Sequence, residues 1–137
     1  MPADDVIAAA RSWVGVPYLH QGRSRSGVDC IGLVLEICAE CGRLPPKLGR
    51  VNYGRHTGTD ELERRIGRYC ELLEEREPGA LITFAWGAFA GHVGIFTGAN
   101  LIHAFNKRGI ERVVETSFAG PWLRVHTRAW RLPAPAA

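Results

Sequence analysis

Four cysteines and five histidines carry most of the reactive chemistry open to this chain of 137 residues. Cys30 differs from the other cysteines in its position. It follows Asp29 at the head of a strongly apolar run, Cys30–Cys41, which is long enough for a helix and has Gly42 just past its end. Asp29 is placed to cap that helix. The nucleophilic form of cysteine is the thiolate, and an isolated thiol keeps its proton up to a pKa of about 8.5. A helix N-terminus favours the thiolate, because its unpaired N–H groups and its macrodipole attract negative charge. The same N–H groups could hold an oxyanion formed during a reaction. Gly27 and Gly32 leave room for another backbone to approach. Free cysteines are also common in protein cores, so position alone does not separate a nucleophile from a packed thiol.

A thiol nucleophile needs a base. His92 opens the apolar run His92–Phe96, and His103 lies inside the next, Leu101–Phe105. Buried histidines need partners. Their positions sum to 195, an odd number. Two residues with an odd sum share a face across a hairpin only if the loop has even length. A two-residue turn at Thr97–Gly98, or a four-residue loop around it, meets that condition, with Gly98 supplying a positive φ. His92 would then be a base for Cys30, and His103 would hold its ring in the productive tautomer. The remaining candidates are weaker. Cys38-Ala-Glu-Cys41 lies at a helix end rather than a start and lacks a second ligand pair at zinc spacing, which predicts packing. Cys70 falls on a buried helix face. Arg23, Arg25, Arg64 and Arg65 fit a solvated surface, His56 a loop, and His126 has no nameable partner.

The elements that must position these groups follow from periodicity. A first helix is predicted over about Asp4–Val14, capped by Asp4 or Asp5, with Val6, Ile7, Ala10, Trp13 and Val14 as its apolar stripe. Pro17–Val28 is predicted to be a loop, and another loop carries Pro45 and Pro46. A charged amphipathic helix is predicted from about Asp60 to Glu75, its buried face marked by Leu62, Ile66, Tyr69, Cys70 and Leu73, with Asp60 and Glu63 as a capping pair. Strands are predicted at Ala80–Trp86, His92–Thr97, Leu101–Phe105, Ile110–Glu115 and Val125–Arg131. Helices first and strands after imply an α+β fold with an antiparallel sheet. We expect one domain over residues 1–132 and a loose tail over 133–137.

Composition sets few limits. Hydrophobic residues make up 46% and charged residues 23%, with a formal net charge of +3. That is an ordinary globular balance with a mild basic excess. Acids at Asp4 and Asp5 stand where a secretion signal carries positive charge, so synthesis in the cytoplasm with reduced thiols is expected. Nothing approaches a membrane span.

Several segments together resemble the NlpC family of papain-like cell-wall peptidases. They are Trp13–Tyr18 (WVGVPY), Gly22, Gly27–Leu33 (GVDCIGL), Leu44-Pro45, Pro78-Gly79, His92–Ile95 (HVGI) and Ile102–Ala104 (IHA). They occur in the family's order over roughly residues 3 to 115. The resemblance implies a papain-like fold with N-terminal helices on a central antiparallel sheet. It implies catalytic roles for Cys30, His92 and His103, with Tyr18 near the thiol and Asp29 at the substrate site. It implies peptidoglycan stem peptides as substrate, often cut between D-glutamate and diaminopimelate, with no metal or other cofactor. This sequence departs from the family pattern at Ile31, where serine is usual, and at Ala80, where aspartate is usual. It departs again at His20-Gln21, where many members have an aromatic residue and glycine. These departures, and the closing segment Ala129–Pro133, resemble the branch found in phage tails and phage-like particles such as gene transfer agents. Tail-hub or tail-tip proteins are then the expected partners, with no direct contact to nucleic acid. The alternatives are a structural tail-hub component with a vestigial site, and a thiol amidase or acyltransferase on the same fold.

Overall fold

A computed structural model describes residues 3–43, 58–86 and 90–136. Leu44-Pro45, Pro46 and His56 lie outside the described residues.

The first helix, α1, spans Asp4–Ser12 and buries Val6, Ile7 and Ala10. Asp4 and Asp5 do not cap it. The cap position is Ala3, which makes no side-chain bond, and the two acids lie in the first turn, where they complement the helix dipole. A two-strand hairpin follows, β1 at Arg23–Ser24 and β2 at Gly27–Val28, inside the stretch predicted as loop. Next comes α2, Cys30–Glu40, with Asp29 as its N-cap.

Helix α3 spans Thr59–Ile66, well short of the predicted end at Glu75. It stops at Gly67, which packs against Glu63 and the Trp130 ring, and Glu71–Leu73 then form a strand, β3. Leu73 satisfies helical spacing, but as strand residues Glu71–Leu73 gain ladder bonds, and Glu71 pairs with Arg131 at 2.6 Å. Glu63 is not a capping partner either. Its buried carboxylate accepts bonds from Thr83 (2.6 Å), Thr127 (2.7 Å) and Arg128 (2.7 Å), which pins the helix to the sheet.

The remaining strands are β4 (Leu81–Trp86), β5 (Ala90–Phe96), β6 (Asn100–Phe105), β7 (Arg112–Ser117) and β8 (His126–Arg131), with a short helix α4 (Pro121–Val125) before the last. They form a six-stranded sheet, β3-β8-β4-β5-β6-β7, with every pair antiparallel. The fold is therefore α+β, as predicted. Strand β7 begins two residues later than predicted because residues 107–111 form a turn, with Glu111 at φ 44°.

Alternation along the strands sorts the core onto two faces. On one face Leu81, Val93, Ile95, Ile102 and Ala104 meet Val6, Ala10, Leu33 and Ile37 from α1 and α2. On the other, Ile82, Phe84, Phe96 and Leu101 meet Phe118. Residues 133–136 are held at two points: Arg43 donates to the Pro133 carbonyl at 3.1 Å, and the Ala136 N–H donates to the Gly42 carbonyl at 2.9 Å.

Candidate active site

Cys30 is the first residue of α2 and is half-buried. Two buried contacts of Asp29 fix the entry to that helix. One carboxylate oxygen accepts the Gly32 N–H at 2.7 Å, closing the N-cap. The other accepts the Gln21 N–H at 2.8 Å, tying the preceding loop to the helix start. Asp29 is thus engaged on both oxygens by backbone donors, and it shapes the site by holding it together. Gln21 sits at φ 59°, the left-handed region that glycine enters freely and other residues enter at a cost. That accounts physically for the glycine usual at this position. The room left by Gly32 is filled by the chain itself. A Cβ there would strike the Gly22 carbonyl oxygen and the Asp29 carboxylate.

The backbone N–H groups of Val93, Ile31 and Cys30 donate toward the Cys30 sulfur. The thiol therefore meets β5 at Val93, the residue after His92. Tyr18 is held beside this region. Its N–H donates to the Glu111 carbonyl at 2.9 Å, it bridges to Val28, and its side chain packs against the same core cluster as Cys30.

His92 and His103 are in direct contact. His92 Nε2 lies 2.7 Å from His103 Nδ1. The predicted parity holds, because the hairpin places both on one face. The register is shifted by two residues from a directly opposed pair: Ile95 faces Ile102 and Phe96 faces Leu101. Continued along the hairpin, that register sets His103 opposite Gly94, diagonal to His92. Gly94 makes the approach possible, since a Cβ there would lie 3.1 Å from the His103 Cβ and 2.5 Å from Leu101 Cδ1.

Aromatic rings enclose the pair. Trp122 lies 5.8 Å from His92 and 4.6 Å edge-on from His103. Phe105 stacks on His103 at 5.1 Å, and Phe84 lies 5.8 Å from His92. The far nitrogen of His103, Nε2, lies 3.3 Å from Thr116 Oγ1. Neither Trp122 nor Thr116 carries a signal legible in the sequence. The first is in a helix too short to show periodicity, and the second lies just past the predicted strand end.

Burial dominates the electrostatics. It pushes the Cys30 thiol up to about 12, the Asp29 carboxylate adds to the rise, and the three N–H groups only partly oppose it. The expected lowering by the helix N-terminus is outweighed. Burial likewise drives His92 down to about 4, and His103 lower still, with the charge of His92 as a second cause. At neutral pH the site holds a thiol and two neutral imidazoles.

The other thiols pack into the structure, and Cys70 lies past the end of α3 rather than on a helix face, half-buried against the core. Cys38 is fully buried, and Cys41 donates to Asp5, whose carboxylate Arg43 grips at 2.8 and 3.2 Å. Arg25 is occupied rather than free, stacked 4.0 Å over Trp13 and bonded to the Ser12 carbonyl at 2.6 Å. His126 does have a partner, the Leu123 carbonyl at 2.6 Å.

Comparison with known proteins gives this arrangement a context. The model of the NlpC/P60 family matches residues 15–131, a span that holds Cys30, His92, His103 and Thr116. The chain belongs to the NlpC/P60 family. Among its relatives is the Escherichia coli protein named "Probable endopeptidase NlpC", 32% identical over 105 residues, covering 74% of this chain and 61% of that protein. The chain thus spans less than two-thirds of that relative's length. The fold is shared with a solved NlpC/P60 family protein from Bacillus cereus, at TM-score 0.69 and 24% identity, covering 93% of this chain and 39% of that one. It is shared too with RipD of Mycobacterium tuberculosis, at TM-score 0.58 and 17% identity, covering 96% of each chain. RipD is described as a non-catalytic NlpC/p60 domain protein adapted to peptidoglycan binding. The NlpC/P60 core of this chain carries both a cysteine at a helix start and a bonded histidine pair.

Proposed function

We propose that this NlpC/P60 domain is a cysteine peptidase that hydrolyses peptidoglycan stem peptides, with Cys30 as nucleophile, His92 as base and His103 orienting His92. The observation that carries the reading is the 2.7 Å His92–His103 bond on a strand whose next residue, Val93, meets the Cys30 thiol. His103 occupies Nε2 of His92, which leaves Nδ1 for the thiol.

A neutral thiol and a neutral imidazole favour general-base attack over a preformed ion pair. The Cys30 proton passes to His92 as sulfur bonds to the substrate carbonyl carbon. The resulting oxyanion is held by backbone N–H groups at the start of α2. Collapse breaks the C–N bond, and the leaving amine takes the proton from His92. Water then attacks the thioester, giving its proton to His92, and the freed sulfur recovers a proton. Aromatic rings around the histidines exclude water and keep both neutral between turnovers.

The bond we assign is that between D-glutamate and diaminopimelate, by analogy with the family. Attachment to the tail hub or tail tip of a phage-like particle, where the enzyme would open the wall locally for DNA entry, is supported by Ile31, Ala80 and the Ala129–Pro133 segment. The high thiol pKa favours a second reading, a peptidoglycan-binding domain without turnover, the role described for RipD. One experiment separates them. Purified peptidoglycan is digested under reducing conditions with wild type and with Cys30→Ala, and soluble products are identified by mass. Fragments ending at D-glutamate, released by wild type alone, support the peptidase. Intact walls in both digests support the binding role, and fragments from another bond point to an amidase or acyltransferase. Absence of the protein from purified particles would remove the tail assignment.

A further inference from the structure

The His92–His103 bond has two protonation patterns, and only one leaves a base for Cys30. If His92 carries its proton on Nε2, it donates to His103 Nδ1, and its own Nδ1 is free to accept. His103 must then carry its proton on Nε2. In the other pattern His103 donates from Nδ1 to His92 Nε2, and His92 holds its proton on Nδ1, so neither of its nitrogens can accept a proton from a thiol. The choice is therefore made at His103 Nε2, on the far side of the ring from the reaction.

That nitrogen is buried. His103 has no exposed surface, Phe105 stacks on its ring, and the Trp122 edge closes one side. Thr116 Oγ1 lies 3.3 Å from Nε2. His103 pairs with Val114 across the β6–β7 ladder, so Thr116 is its diagonal neighbour on that face. A buried N–H without an acceptor is tolerated less readily than a buried lone pair without a donor. The Thr116 hydroxyl can accept from a protonated Nε2 or donate to a bare one, but its loss strands the buried N–H at the greater cost, so it weights the pair toward the Nε2–H form of His103.

We propose that Thr116 is a positioning residue that accepts from His103 Nε2 and so favours the tautomer in which His92 can act as base. It extends the chain of contacts from Cys30 through His92 and His103 to a fourth residue on β7. Its role in turnover rests on the peptidase reading given above, whereas its effect on the tautomers does not.

The test uses the full chain with labelled histidines. In the Cys30→Ala background, nitrogen NMR assigns which ring nitrogens of His92 and His103 carry hydrogen. With Thr116 present, both proton-bearing nitrogens are expected to be Nε2. In Thr116→Val the His92 proton is expected to move to Nδ1, and Thr116→Ser is expected to restore the original pattern. Thr116→Ala, which adds no bulk, replaces the valine variant if that one does not fold. With Cys30 intact, loss of one neutral hydrogen bond predicts a kcat about 3- to 10-fold lower for valine, an unchanged KM, and recovery in serine. A His92 proton on Nδ1 in the presence of Thr116, or tautomers unchanged in the valine variant, would overturn the assignment. If wild type cleaves nothing, the peptidase reading fails while the NMR result still decides the role of Thr116.

Discussion

Replacing Asp29 by asparagine should weaken the fold and sharpen the thiol at the same time. The carboxylate is 3% exposed and accepts two backbone N–H groups, from Gly32 at 2.7 Å and Gln21 at 2.8 Å. Asparagine has one oxygen, so one of those N–H groups would face an NH2 instead. Losing one charge-assisted bond costs about 1.5–3 kcal/mol. Losing the negative charge beside a helix N-terminus costs about 0.3–1 kcal/mol more. The total, roughly 2–4 kcal/mol, leaves a domain of ordinary stability folded but lowers its Tm by about 6–15 °C. The same charge is the second cause, after burial, of the raised Cys30 pKa, so its removal should lower that pKa. One pKa unit gives ten times more thiolate, but a less basic thiolate is a weaker nucleophile, for a net gain of about threefold. Urea titration reads the first effect. The iodoacetamide alkylation rate of Cys30 at fixed mild pH, followed by peptide mass, reads the second. Unchanged stability would refute the double role of the carboxylate, and an unchanged or slower rate would refute its electrostatic hold on the thiol.

Other perturbations test other parts of the site. Both histidines are held below their ordinary pKa of 6.5 by burial, His92 at about 4. The unfolded chain therefore binds more protons between pH 6.5 and about 4, and stability should fall as pH drops through that window, by up to about 2 kcal/mol per histidine between pH 7 and 5. His103→Asn should flatten the slope, and urea midpoints that stay level down to pH 5 would contradict the burial. Asp5 and Glu115, lowered by Arg43 and Arg11, add acid lability only below the ordinary carboxylate range. Gly94→Ala brings a Cβ against Leu101 and His103, so it should cost about 1–3 kcal/mol and lower turnover by displacing His103; wild-type melting and turnover would disprove that contact.

The site was more legible in the sequence than some of the fold around it. Hairpin parity and a cysteine at a capped helix start are local signals, and the structure has both features: His92 meets His103, and Cys30 opens a helix capped by Asp29. The exact register was not readable, because a loop shifted by one residue at each end keeps the same parity. Leu62, Ile66 and Leu73 satisfy helical spacing and predict a longer α3, while Gly67 and pairing with β8 decide the chain's path. The sign of the Cys30 pKa shift was also hidden. A helix N-terminus can be read from sequence, but the depth at which the thiol is buried cannot.

In the proposed peptidase a proton passes from Cys30 to His92. The most direct measurement is turnover of a purified stem peptide by wild type, Cys30→Ala and His92→Ala, each checked for folding by circular dichroism. No turnover is expected without the thiol, and a kcat lower by about 10²- to 10⁴-fold is expected without the imidazole. Turnover by either variant at the wild-type rate would contradict that transfer.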